Sequence, residues 1–155
     1  MSILTVPHLN TLSLPAFRRL FHTLSAPALE SIRGEFRAEI VGPAWMRLIA
    51  PPALALGGLG GWCGKRFDAN GQGLNLVNRG GEIKPVLPMQ LARRASLIDQ
   101  QPVIAVTYPS GSPPPWPWIV DELRRLDGHT LLGMTVVTRL GLHRLAFPFL
   151  LHTAT

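Results

Sequence analysis

The chain has 155 residues, 46% of them hydrophobic and 15% charged, with a formal net charge of +6. That is one domain's worth of sequence, too apolar for disorder, and able to bury roughly 70% of its unfolded surface without a metal or disulfide staple. A single cysteine, Cys63, excludes an internal disulfide and suits a reducing compartment.

The opening MSILTVPHLN has no cationic stretch and no small-residue cleavage site. No signal peptide and a cytoplasmic location are therefore expected. Residues 13–24 carry Leu14, Phe17, Leu20, Phe21 and Leu24 at helical spacing, with Ser13 placed to cap and Pro15 in the first turn. This predicts an amphipathic helix that plugs or caps the fold, with a partner-binding helix as the alternative. Residues 34–41 alternate, with Phe36, Ala38 and Ile40 on one side and Glu35, Arg37 and Glu39 on the other, which predicts a half-buried strand. Residues 43–56 are apolar and interrupted by Pro51-Pro52. They read as a short helix and then a loop, either a lid over a barrel mouth or a buried connection. The uncharged stretch from Leu48 to Gly64 holds both prolines and five glycines, so it is not expected to span a membrane.

From residue 60 onward the pattern is short strands and tight turns. Strands are expected at 61–68, 74–78, 82–90, 94–99, 102–108, 118–126, 130–138 and 145–152, with turns at Asn70-Gly71, Arg79-Gly80-Gly81, 99–101 and Asp127-Gly128. Pro85 and Pro88 mark residues 82–90 as an edge or bulged strand. Eight or nine short strands joined by tight turns favour an antiparallel meander, and closure into a barrel removes its exposed edges. The fold class is therefore mainly β: one antiparallel, lipocalin-like (calycin-type) barrel spanning residues 1–155, with an N-terminal helix and a short lid helix.

Several familiar chemistries fail on spacing. The run from Gly57 to Lys65 has Leu59 where a phosphate loop needs Gly, and Arg66 where it needs Ser or Thr. His8, His22, His129, His143 and His152 show no metal-ligand spacing, so no metal and no cofactor are expected. Cys63 stands beside Lys65 and Arg66, which suits either a thiol of lowered pKa or an inert buried cysteine. The 13 Arg and two Lys include the pairs Arg18-Arg19, Arg93-Arg94 and Arg124-Arg125. They suit an anionic partner or a solvated basic surface; their scatter, with no interleaved aromatics, favours the surface, and no nucleic-acid partner is expected. On residues 118–126 both strand faces mix apolar and charged side chains: Trp118, Val120, Glu122, Arg124 and Leu126 share one, Ile119, Asp121, Leu123 and Arg125 the other. A barrel strand would carry a carboxylate or an arginine inward, where it must pair with a neighbour or a ligand.

Gly60-Gly61-Trp62-Cys63-Gly64-Lys65 matches the Gly-x-Trp-x-Gly pattern, with its following Lys, that names the GXWXG domain. Ile32-Arg33-Gly34-Glu35-Phe36-Arg37 resembles that domain's opening strand, with Phe36 where Trp is usual. Ile119 to Asp127, with Leu131-Leu132-Gly133-Met134, resembles the DUF4334 domain that usually follows. The resemblance covers about residues 15–70 and 95–152. Both families are named for sequence features rather than an activity, and their pattern is lipocalin-like. The resemblance implies a Gly-x-aromatic packed under a late-strand arginine, parts that Phe36 or Trp62 would take with Arg124 or Arg144 through a cation–π contact. The segment 48–59 and the loop 113–117 depart from the family and are expected to shape the mouth of a pocket.

The sequence thus points first to a module that binds a small hydrophobic molecule, such as a lipid, polyketide or terpenoid-like compound. Trp45, Met46, Trp62, Met89, Trp116 and Trp118 would line or lid its cavity, and Lys65, Arg66 or Arg124 would fix an acidic or carbonyl group. The alternative is a cofactor-free cyclase or isomerase in the same cavity, with Asp121 or Glu122 as acid or base. The third reading is an interaction protein that uses its N-terminal helix.

Overall fold

The computed structural model describes residues 5–139, 141–142 and 145–154. Arg144 and His143 lie outside the described residues. Eight antiparallel strands close into a barrel in simple meander order, β1 pairing with β8. They are β1 (Gly34–Ile40), β2 (Trp62–Phe67), β3 (Gln72–Arg79), β4 (Glu82–Ala95), β5 (Pro102–Thr107), β6 (Ile119–Asp127), β7 (Thr130–Val137) and β8 (Ala146–Thr153). The helices are α1 (Val6–Leu9), α2 (Leu14–Thr23) and α3 (Ala44–Leu56), with short 3-10 turns at Leu29–Ser31 and Trp116–Trp118. This is the lipocalin-like meander expected from the strand count. No helix among the described residues is long and apolar enough to cross a membrane.

Three local expectations are corrected. Residues 44–56 form one continuous helix through Pro51 and Pro52 rather than a short helix and a loop. Helical φ suits the proline ring, and the two bonds that are lost would have gone to Arg47 and Leu48, residues exposed to solvent. The separate strands expected at 82–90 and 94–99 are one strand of 14 residues, β4. A bulge lies beside Pro88: Leu74 pairs with Pro88 and Asn75 with Val86, which leaves Leu87 extra at φ 53°, while Pro85 stays in register opposite Leu76. Finally, Trp118 belongs to the 3-10 turn, and β6 begins at Ile119.

Two hydrophobic cores result. Inside the barrel, Phe36, Phe67, Val77, Met89, Leu91, Ile104, Leu123, Leu131 and Leu151 pack together. Outside it, Val103, Leu132, Met134, Val136 and Leu150 on the outer face of β5 to β8 are covered by Leu9 of α1 and by Phe17 and Phe21 of α2. The amphipathic α2 therefore plugs a side wall, not a barrel end. Ser13 caps it by accepting from the Ala16 amide at 3.2 Å.

The second core explains the mixed pattern of β6. Its odd residues Ile119, Asp121 and Leu123 face the interior, while Glu122 and Arg124 lie buried on the outer face, beneath the N-terminal helices and the 96–101 turn. Arg124 is fully buried. It donates to both Asp99 carboxylate oxygens at 2.6 and 2.8 Å, to the Phe21 carbonyl at 2.9 Å and to the Pro102 carbonyl at 3.1 Å. Its guanidinium carbon sits 4.3 Å from the Phe21 ring centroid. The aromatic partner of Arg124 is therefore Phe21 of α2, not Phe36 or Trp62.

The hydrogen bonds from Arg124 hold the Asp99 carboxyl well below its usual range, with His22 adding a further bond. An unfolded aspartate titrates near ~3.9. The pair's stabilisation is thus complete above about pH 4 and is lost as pH falls through the lower native value. Burial pushes Glu122 the other way, upward, so protonation relieves it in acid. Urea midpoints of wild type and Asp99→Asn isolate the pair: the variant is expected to show a smaller loss of stability between about pH 4 and pH 2. Parallel slopes in that window would refute the assignment.

Candidate functional site

One end of the barrel opens into a cavity of about 370 Å³. That lies within the roughly 300–1,000 Å³ of small-molecule sites. The wall is mostly apolar. α3 supplies Trp45, Met46, Ile49, Ala50, Ala53 and Leu54, and the 113–117 loop supplies Pro115 and Trp116. The Trp116 indole ties these two segments together by donating to the Gly57 carbonyl at 2.6 Å. The segments 48–59 and 113–117 thus both border the cavity. α3 also turns Leu48 and Leu56 outward, 80% and 92% exposed.

A compact polar cluster forms the floor. Lys65 donates to the Asn75 side-chain oxygen at 2.9 Å and to the Tyr108 hydroxyl at 3.0 Å, and pairs with Asp121 at 3.2 Å. Tyr108 donates to Asp121 at 2.9 Å, and Thr135 to the other carboxylate oxygen at 2.8 Å. The Trp62 indole reaches the Asn75 oxygen at 3.1 Å. Among the described residues no buried side-chain nitrogen or oxygen lacks a partner. Burial lowers the Lys65 pKa against the opposing pull of Asp121. Burial, and next the Asp121 charge, push the Tyr108 phenol well above its usual range, so it remains a donor.

The Gly-x-Trp-x-Gly segment is the scaffold that delivers two of these groups. A bulge shifts the β2–β3 register between Trp62 and Gly64. Strict alternation would put Trp62 and Lys65 on opposite faces; the bulge turns both inward. Gly61 sits at φ 77°, and a Cβ there would overlap the Asn78 carbonyl oxygen. A Cβ on Gly64 would overlap the Phe36 carbonyl oxygen of β1. These clashes are with backbone, which cannot swing aside. Gly64→Ala is therefore expected to destabilise by about 2–3 kcal/mol, read as a lowered denaturation midpoint, and to weaken whatever the cavity binds. An unchanged midpoint would show that the β1–β2 approach tolerates the methyl.

The cavity wall includes Trp45, Met46, Trp62, Lys65, Trp116 and Asp121 of the residues expected from sequence. Five others are placed elsewhere. Arg66 points to solvent and pairs with Glu35 at 2.6 Å, because it follows the inward Lys65 on the strand and so faces the other way. Met89 is buried beneath the floor, its sulfur 3.6 Å from the Lys65 nitrogen. Trp118 lies half-buried under the Arg139 guanidinium, 4.9 Å from its ring. Glu122 and Arg124 are on the outer face of β6; Glu122 accepts from the Ser96 hydroxyl at 2.6 Å and the Leu97 amide at 2.7 Å. The thiol of Cys63 is half-buried, and burial raises its pKa rather than lowering it.

Asn75, Tyr108 and Thr135 were missed. Asn75 interrupts the apolar alternation of β3, and Tyr108 is the sole tyrosine of the chain. A polar residue on an otherwise inward-facing strand position was the available signal.

No family model and no curated protein matches the chain. A solved structure, described as the crystal structure of a protein from Thermomonospora curvata, superposes with a TM-score of 0.70 over 93% of this chain and 89% of that one, at 18% sequence identity. The likeness is one of fold: this chain and that protein share the barrel architecture.

Proposed function

We propose that the barrel binds a small hydrophobic molecule whose buried end carries an uncharged polar group. One observation carries the reading: an apolar, aromatic-walled cavity ends in a single polar cluster of a kind suited to orienting a ligand. Lys65 and Asp121 offset each other's charge. A carboxylate ligand would add an unbalanced negative charge in a desolvated place, whereas a carbonyl or hydroxyl would not. The Gly-x-Trp-x-Gly and downstream resemblance supports a GXWXG/DUF4334-type barrel but brings no activity with it.

Titration with N-phenyl-1-naphthylamine, an uncharged aromatic probe, tests the reading. Saturable one-to-one binding is expected, weakened about tenfold, or ~1.4 kcal/mol, when Ala50→Phe narrows the cavity. No saturable binding to the native protein would sink it. Organic extraction of the purified protein would then name the ligand class.

The catalytic alternative now rests on Asp121 alone, since Glu122 does not reach the cavity. Asp121 bonds a phenol and an ammonium at the cavity floor, the arrangement of a proton donor or acceptor in apolar surroundings. Asp121→Asn separates the two: a binder keeps its ligand, whereas a cyclase or isomerase keeps its ligand but loses turnover by about 10²–10⁴-fold.

A further inference from the structure

The cavity floor holds a primary amine, and the chain has only two lysines, Lys65 and Lys84. Lys84 is exposed on β4. The Lys65 side chain is 2% exposed, and its nitrogen lies 5.5 Å from the Trp62 and Tyr108 ring centroids and 6.0 Å from that of Phe149. Desolvation there favours the neutral amine, which is the nucleophilic form. Within 3.2 Å are a carboxylate that can take up a proton and a phenol that can supply one. An amine, an acceptor and a donor in a water-poor enclosure are what reversible imine formation requires.

We infer that Lys65 forms a reversible imine with an aldehyde or ketone carried at the end of an apolar molecule. The inference rests on the cavity reading above and narrows its ligand class to carbonyl compounds. In the step, the Lys65 ammonium yields a proton to Asp121 and the free amine adds to the carbonyl carbon. A nitrogen–carbon bond forms and the carbon–oxygen bond breaks. The oxygen leaves as one water carrying two hydrogens that began on the ammonium, relayed through Asp121 and Tyr108. The positive charge stays on nitrogen, facing the Asp121 carboxylate, and no electrons are gained or lost.

The test incubates the full-length protein with cinnamaldehyde and sodium cyanoborohydride near neutral pH, followed by intact mass measurement and peptide mapping. One cinnamyl group on Lys65 is expected, appearing about tenfold faster than on the exposed Lys84, because the cavity holds the aldehyde beside the Lys65 amine. Cinnamyl alcohol, which forms no imine, is run in parallel as a competitor of N-phenyl-1-naphthylamine. If the alcohol competes while Lys65 stays unlabelled, or both lysines label equally, the imine is overturned and the cavity reading stands. If the probe itself finds no site and Lys65 stays unlabelled, both fall. The double variant Lys65→Met/Asp121→Asn, which leaves no lone buried charge, is expected to lose the fast label while Lys84 keeps its slow one; retention of a fast label would overturn the assignment.

Discussion

Arg124→Ala is expected to be the most destabilising single substitution among those considered. Arg124 joins three parts of the molecule: β6, the 96–101 turn through Asp99, and α2 through the Phe21 carbonyl and ring. Truncation removes a bidentate pair, leaves Asp99 without its cation and opens a void under Phe21. Breaking a buried pair by removing one partner costs about 3–5 kcal/mol. For a domain of this length each kcal/mol lowers the melting temperature by roughly 2–4 °C, so a fall of about 10–15 °C is expected by calorimetry. Because α2 covers the side wall rather than the cavity, probe binding at low temperature should persist. A small shift in melting temperature would mean that the helix is held by Phe17 and Phe21 alone.

Lys65→Met should cost nearly as much, for a different reason. Methionine fills a similar volume, but Asp121 is then a buried carboxylate whose bonds to Tyr108 and Thr135 do not replace the lost cation. A loss of about 3–5 kcal/mol is expected. The double variant Lys65→Met/Asp121→Asn should recover most of it and lie within about 1–2 kcal/mol of wild type, since an apolar and amide replacement of a buried pair is often near neutral. Urea denaturation of the four proteins completes the cycle. Strict additivity would show that the two groups are independent. The expected recovery carries a functional meaning: a pair that contributes little net stability at the floor of a cavity is better explained by what it does to a ligand.

The fold was largely legible in the sequence. The glycine and asparagine turns, the alternation of 34–41 and the count of short apolar segments sufficed for a meander, because backbone hydrogen bonding and edge avoidance leave few other solutions. Trp45, Met46, Trp62, Lys65, Trp116 and Asp121 were candidates by residue type and position, but the sequence did not separate them from Arg66, Met89, Trp118, Glu122 and Arg124. What alternation could not decide was phase. A single extra residue at Cys63 turns Trp62 and Lys65 to the same side and Arg66 outward. Another at Leu87 shifts the register of β4 beside Pro88. The inward face of β6 was likewise undecided, because both of its faces are buried, one by the barrel and one by α1 and α2 packing against the wall from a hundred residues away in sequence. Local pattern reports whether a side chain is suited to burial. Which of two burials it receives depends on the elements that arrive opposite it, and only the tertiary structure brought Asn75, Tyr108 and Thr135 to the same floor as Lys65 and Asp121.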